Sequence, residues 1–108
     1  MAFDELGIYE VLFDPQSKGK IAALVEETLG ALIEYDRQHG SELIETLGQY
    51  LRHNCHLEET ASDLHIHLNT LRYRLKHISA ISGVKLHTLE GKFKFDLALK
   101  GMRTRSTG

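Results

Sequence analysis

Residues Leu57–Ile78 read LEETASDLHIHLNTLRYRLKHI, and their spacing divides them into two helices joined by a short turn. Leu57, Ala61 and Leu64 recur four and three residues apart, as one face of a short helix requires. Glu58 and Glu59 fall in the first turn, where negative charge suits the exposed amides. After a connection of about three residues that holds Ile66, a second helix starts near His67–Leu68 and buries Leu71, Leu75 and Ile78. Ala61 is small enough to let the two helices cross closely, and Ile66 acts as an apolar plug that fixes their angle. This is the arithmetic of a helix-turn-helix at about residues 57–79, a rigid pair whose second helix fits a DNA major groove.

On a helical wheel of about 100° per residue, Asn69, Tyr73, Lys76 and Ala80 lie opposite Leu71, with Arg72 at the flank. Asn pairs with adenine, Arg with guanine, and Lys or Tyr holds phosphate. Asn69 and Thr70 occupy the helix start, where base edges and phosphates are met. Arg74 falls near the core boundary, where it snorkels or bonds to a partner helix. The same residues also read as two packed helices with a solvated basic face.

The rest of the chain is helical in pattern too. Leu6, Tyr9 and Phe13 make a stripe over residues 5–13 that Asp14-Pro15 closes. Ile21, Leu24, Val25 and Leu29 make a second over residues 20–29, ending near Gly30, and a short piece from Ala31 to Arg37 stops before Gly40. Ser41 is placed to cap a helix Glu42–His53 with stripe Leu43, Leu47, Tyr50 and Leu51. Lys92–Leu99 alternates as a strand would, yet Phe93/Leu97 and Phe95/Leu99/Met102 pair at helical spacing and Thr88 can cap. Helix is favoured, because a lone strand has no bonding partner. Only the tail Thr104–Gly108 resembles a linker. The expectation is one all-α domain over residues 1–108, compact, of about six or seven helices.

With 108 residues the chain is the size of one domain, and its 42% hydrophobic content supports a core. Cys55 is the single cysteine, so neither an intramolecular disulfide nor a Cys-rich zinc site is open to it. No secretory signal or long apolar run is present, which reads as a soluble cytoplasmic domain without a membrane partner. The net charge of −2 hides a division: residues 1–68 hold four basic and thirteen acidic side chains, residues 69–108 nine basic and two acidic. Such asymmetry points to a polyanion partner.

The run His65-Ile-His-Leu-Asn-Thr-Leu-Arg-Tyr-Arg-Leu75, preceded by Glu59-Thr-Ala61, closely resembles the C-terminal DNA-binding domain of PucR/CdaR-type bacterial regulators of purine and sugar-diacid catabolism. The likeness covers about residues 5–102, through Glu5-Leu-Gly7, Thr28-Leu29…Leu32, Tyr35-Asp36, Leu43-Ile-Glu-Thr-Leu47, Tyr50-Leu51 and Leu97-Ala-Leu99. The turn and second helix also resemble, more distantly, the DNA-binding end of Fis. The resemblance implies the output domain of a transcription regulator that binds double-stranded DNA, with sensing domains for a small-molecule effector lying outside this chain. A homodimer of the full-length form fits palindromic sites with half-sites about 34 Å apart. The DNA-facing positions it implies are Leu68, Asn69, Thr70, Arg72, Tyr73, Arg74 and Lys76. Leu68 stands where the family often carries Arg, so an apolar side chain there touches a thymine methyl or leaves a contact unmade.

Other chemistries have less behind them. His53, Cys55 and His56 are close in sequence, but no CxxC or HExxH spacing accompanies them, so no metal or cofactor is expected. Cys55 beside a histidine is not a triad, and Ser17-Lys-Gly-Lys20 lacks the upstream Gly and following Ser/Thr of a phosphate loop. No catalytic residue is assigned. The alternative to DNA binding is a protein-protein interaction or dimerisation module, in which the acidic half packs on a partner.

Overall fold

The computed structural model describes residues 18–107, which form five helices and no strand. They are α1 (Lys18–His39), α2 (Leu43–Arg52), α3 (Leu57–Leu64), α4 (Leu68–Ser82) and α5 (Leu89–Thr107). The stripe expected over residues 5–13 lies outside the described residues.

The long α1 corrects the expectation of a break near Gly30, for segments 20–29 and 31–37 are one helix. Thr28, Leu29 and Leu32 are all fully buried on either side of Gly30. A glycine costs an isolated helix about 1 kcal/mol, and burial of that order on both sides offsets it. Segment 92–99 is helical, as favoured: α5 opens under Thr88, whose hydroxyl accepts the Gly91 amide at 2.9 Å. A Cβ at Gly91 would sit 1.9 Å from the Lys85 carbonyl oxygen, so only glycine lets the chain cross there. The helix runs on through Thr107, and the stretch 104–107 read as a linker is therefore its last turn.

The core gathers Ile21, Val25, Leu29 and Leu32 of α1 with Leu43, Leu47, Ile78, Leu86, Phe95 and Leu99. Phe95 is the largest side chain fully buried there. α1 lies along α5, touches α4 and carries α2, while α3 packs on α2 and α4 alone among the described helices. Ala61 and Leu71 are buried outside that cluster, within the helix-turn-helix itself.

The start of α2 also departs from expectation. Ser41 does not cap it, and the cap position is Glu42, which makes no side-chain capping bond. Instead Asp36, from the last turn of α1, receives the Leu43 and Ile44 amides on its two carboxylate oxygens, each at 2.9 Å, and the Ser41 hydroxyl as well. A carboxylate holds two orphan amides where a serine hydroxyl holds one, so Ser41 becomes a donor to the cap.

Candidate nucleic-acid interface

The turn at 65–67 is built by the backbone. His65 adopts the left-handed conformation (φ 57°, ψ 42°), where histidine is more tolerated than most residues. Its amide donates to the Ser62 carbonyl at 3.1 Å, and the Ile66 amide donates to that of Ala61 at 3.0 Å, closing α3. Ile66 is half-buried as the plug. His67 is extended, and its carbonyl accepts the Leu71 amide at 3.0 Å to open α4.

α4 sorts its side chains by face. Leu71 and Ile78 are fully buried and Leu75 half-buried. Asn69, Thr70, Arg72, Tyr73, Lys76 and Ala80 are exposed together, with Tyr73 at 68%. Leu68 is half-buried beside Arg72, in a shallow hollow shared with Cys55, His56 and Leu57 at the start of α3. Arg72 and Lys76 have no hydrogen-bond or ion-pair partner among the described residues, so both charges are open to solvent. Arg74 differs. Half-buried, it donates to the Thr46 hydroxyl at 3.0 Å, and buried Thr46 passes its own proton to the Glu42 carbonyl at 2.8 Å. The helix that Arg74 bonds to is thus α2, a link across 28 residues that no local pattern announces.

Helix starts differ in charge. α2 has the Asp36 carboxylate and Glu45, α3 has Glu58 and Glu59, and α5 has the Thr88 hydroxyl and Glu90. α4 has neither an acidic residue in its first turn nor a side-chain cap. Its exposed amides and partial positive charge remain available to an anion. Beside it, His53 lies 2.6 Å (Nε2) from Asp63 and 3.7 Å (Nδ1) from Glu59, linking the end of α2 to α3. The buried Nε2 makes no aligned hydrogen bond, and its contact with Asp63 is a close polar approach. Among the described residues no three His, Cys, Asp or Glu side chains converge to hold a metal, and no helix is long and apolar enough to cross a membrane.

On its other flank, α4 meets a row of rings. Tyr73 lies 5.6 Å from His77 between centroids, His77 meets Tyr35 of α1 edge-on at 4.9 Å, and Tyr35 stacks on His39 at 4.0 Å. Neither the row nor the Asp36 cap was legible in the spacing.

Comparison with known proteins agrees with this geometry. Residues 43–101 match the family model of the PucR C-terminal helix-turn-helix domain. The chain is 38% identical over 99 residues to the DNA-binding transcriptional activator AdeR of Bacillus subtilis (strain 168), covering 92% of this chain and 24% of that protein. It is 31% identical over 103 residues to the proline-responsive transcriptional activator PutR of the same organism, covering 95% and 25%. It is 37% identical over 76 residues to that organism's purine catabolism regulatory protein, covering 70% and 14%. The chain thus spans about a quarter or less of the length of these relatives. No solved structure matches it significantly. The chain belongs to the PucR C-terminal helix-turn-helix family, the DNA-binding domains of transcription regulators.

Proposed function

We propose that this domain is the sequence-reading output of a bacterial regulator of a catabolic pathway, with α4 lying in the major groove of double-stranded DNA. The observation that carries the reading is the face of α4: Asn69, Thr70, Arg72, Tyr73 and Lys76 are exposed together, behind a ridge seated by buried Leu71 and Ile78. Asn69, Thr70 and Arg72 present the donors that bases accept, while Tyr73, Lys76 and the uncapped amides hold phosphates. Leu68, half-buried at the tip, offers an apolar surface for a thymine methyl. Arg74 acts indirectly, its guanidinium fixing the roll of α4 through Thr46. The acidic first half repels the duplex and so turns the basic half toward it. Two copies on adjacent half-sites would read a palindrome, and the effector acts through domains beyond this chain.

Fluorescence anisotropy with duplex DNA across a range of salt, beside an Asn69/Arg72/Lys76 triple-alanine variant, tests this. Lys76 neutralises about one phosphate, so its loss lowers the slope of log affinity on log salt by about 1, and the lost base contacts of Asn69 and Arg72 bring the total weakening to at least tenfold. A folded triple variant that binds like the wild type overturns the assignment of this face.

A further inference from the structure

Tyr73 poses a mechanical problem. It is 68% exposed, and a side chain that free sacrifices rotamer entropy when a ligand fixes it. The ring row described above limits that freedom. One turn along α4, His77 is half-buried and stands 5.6 Å from the Tyr73 ring at a tilt of 50°. His77 is held in turn by the edge of Tyr35, 4.9 Å away and inclined at 79°. Tyr35 is itself backed by His39, whose ring lies 4.0 Å off at 15° and whose Nδ1 is 3.0 Å from the Tyr35 carbonyl.

The base of this row is fixed to the backbone. Asp36, next in sequence to Tyr35, is locked to the Leu43 and Ile44 amides, so the last turn of α1 cannot drift from α2. Opposing charge nearby is already matched, since Arg37 pairs with Glu34 and holds that carboxyl below its ordinary range through the hydrogen bond between them. Tyr35 lies upstream of residues 43–101, the part that matches the family model.

Resting on the DNA reading above, we propose that Tyr35 and His77 are positioning residues that brace the Tyr73 phenol in its DNA-facing orientation, which makes α1 a working part of the recognition surface. They touch no nucleotide themselves. Their effect passes through Tyr73 alone, and it is this dependence that separates a brace from ordinary support of the fold.

The test uses the 108-residue chain and a mixed-sequence duplex of about 30 base pairs at low salt, with thermal unfolding recorded for every variant. Aromatic pairs of this kind correspond to about three- to tenfold in affinity. Tyr35→Leu and His77→Ala each weaken binding by that factor, with an unchanged salt slope because the Tyr73 phenol through which they act carries no charge and displaces no counterion. Tyr35→Phe keeps the ring and stays within about twofold of wild type. In a Tyr73→Ala background neither substitution weakens binding further. A loss that persists in that background, or no loss from either substitution, overturns the brace. Tyr73→Ala binding like wild type overturns it as well, while leaving the rest of the DNA face in place. Absence of salt-sensitive binding by the wild type overturns the DNA reading itself.

Discussion

The turn between α1 and α2 and the turn between α3 and α4 reverse the chain in about the same number of residues, yet they leave the next helix in opposite states. At 40–42, Gly40 takes a positive φ of 61°, and Asp36 reaches forward to saturate the first amides of α2. At 65–67, His65 also takes a positive φ, of 57°, and no side chain among the described residues caps α4. The first turn is finished internally with negative charge. The second ends in exposed amides flanked by Asn69 and Thr70, with Arg72 and Lys76 along the same helix. The start of α2 is thus neutralised from within the protein, whereas the start of α4 is left open to an anion.

The largest effect is expected where the first turn is broken. Asp36→Ala removes the acceptor of two amides and one hydroxyl. It should cost about 2 kcal/mol of stability, or roughly 10 °C in Tm for a domain of this size. Urea unfolding and calorimetry measure both. A loss under about 0.5 kcal/mol would mean that water completes this helix start as easily as Asp36 does, and the contrast between the two turns would vanish.

The two turns also differ in how far they could be read from sequence. Turn 65–67 is local: the periods of Leu57/Ala61/Leu64 and Leu71/Leu75/Ile78 bracket it, and Ile66 marks its middle. The exposed set on α4 followed from the same periods. The first turn is not local in that sense, since the cap lies seven and eight residues before the amides it serves. Ser41 adjoined the helix and was the natural choice by proximity. Gly30 misled for a similar reason: its propensity is a local quantity, but burial of Leu29 and Leu32 against other helices settles whether α1 continues. Arg74–Thr46 and Tyr35–His77 join residues far apart in sequence, and only packing brings them together.

Substitution at the shared left-handed position sharpens the comparison with a smaller effect. His65→Val puts a β-branched side chain at φ 57°, where it meets its own backbone, and should cost about 1–2 kcal/mol. His65→Gly removes that clash at some cost in unfolded-state entropy and should lie within about 1 kcal/mol of wild type. Equal losses from the two, measured by denaturant unfolding, would mean that the His65 side chain rather than its conformation holds the turn.

The smallest change in stability should be a gain. His67→Asp gives α4 the carboxylate that α2 already has, at the cap position with extended backbone (φ −69°, ψ 150°) from which a side-chain oxygen reaches the amides two and three residues on. The free protein should gain about 0.5–1 kcal/mol, because an orphan amide is bonded and the helix start is neutralised. DNA binding should fall about tenfold or more, because a fixed negative charge then occupies the place of a phosphate. Stability and affinity therefore move in opposite directions, which few substitutions produce and general damage to the fold cannot. If affinity holds while stability rises, the exposed amides of α4 do not meet the DNA, and the bare start of that helix is only an uncapped end.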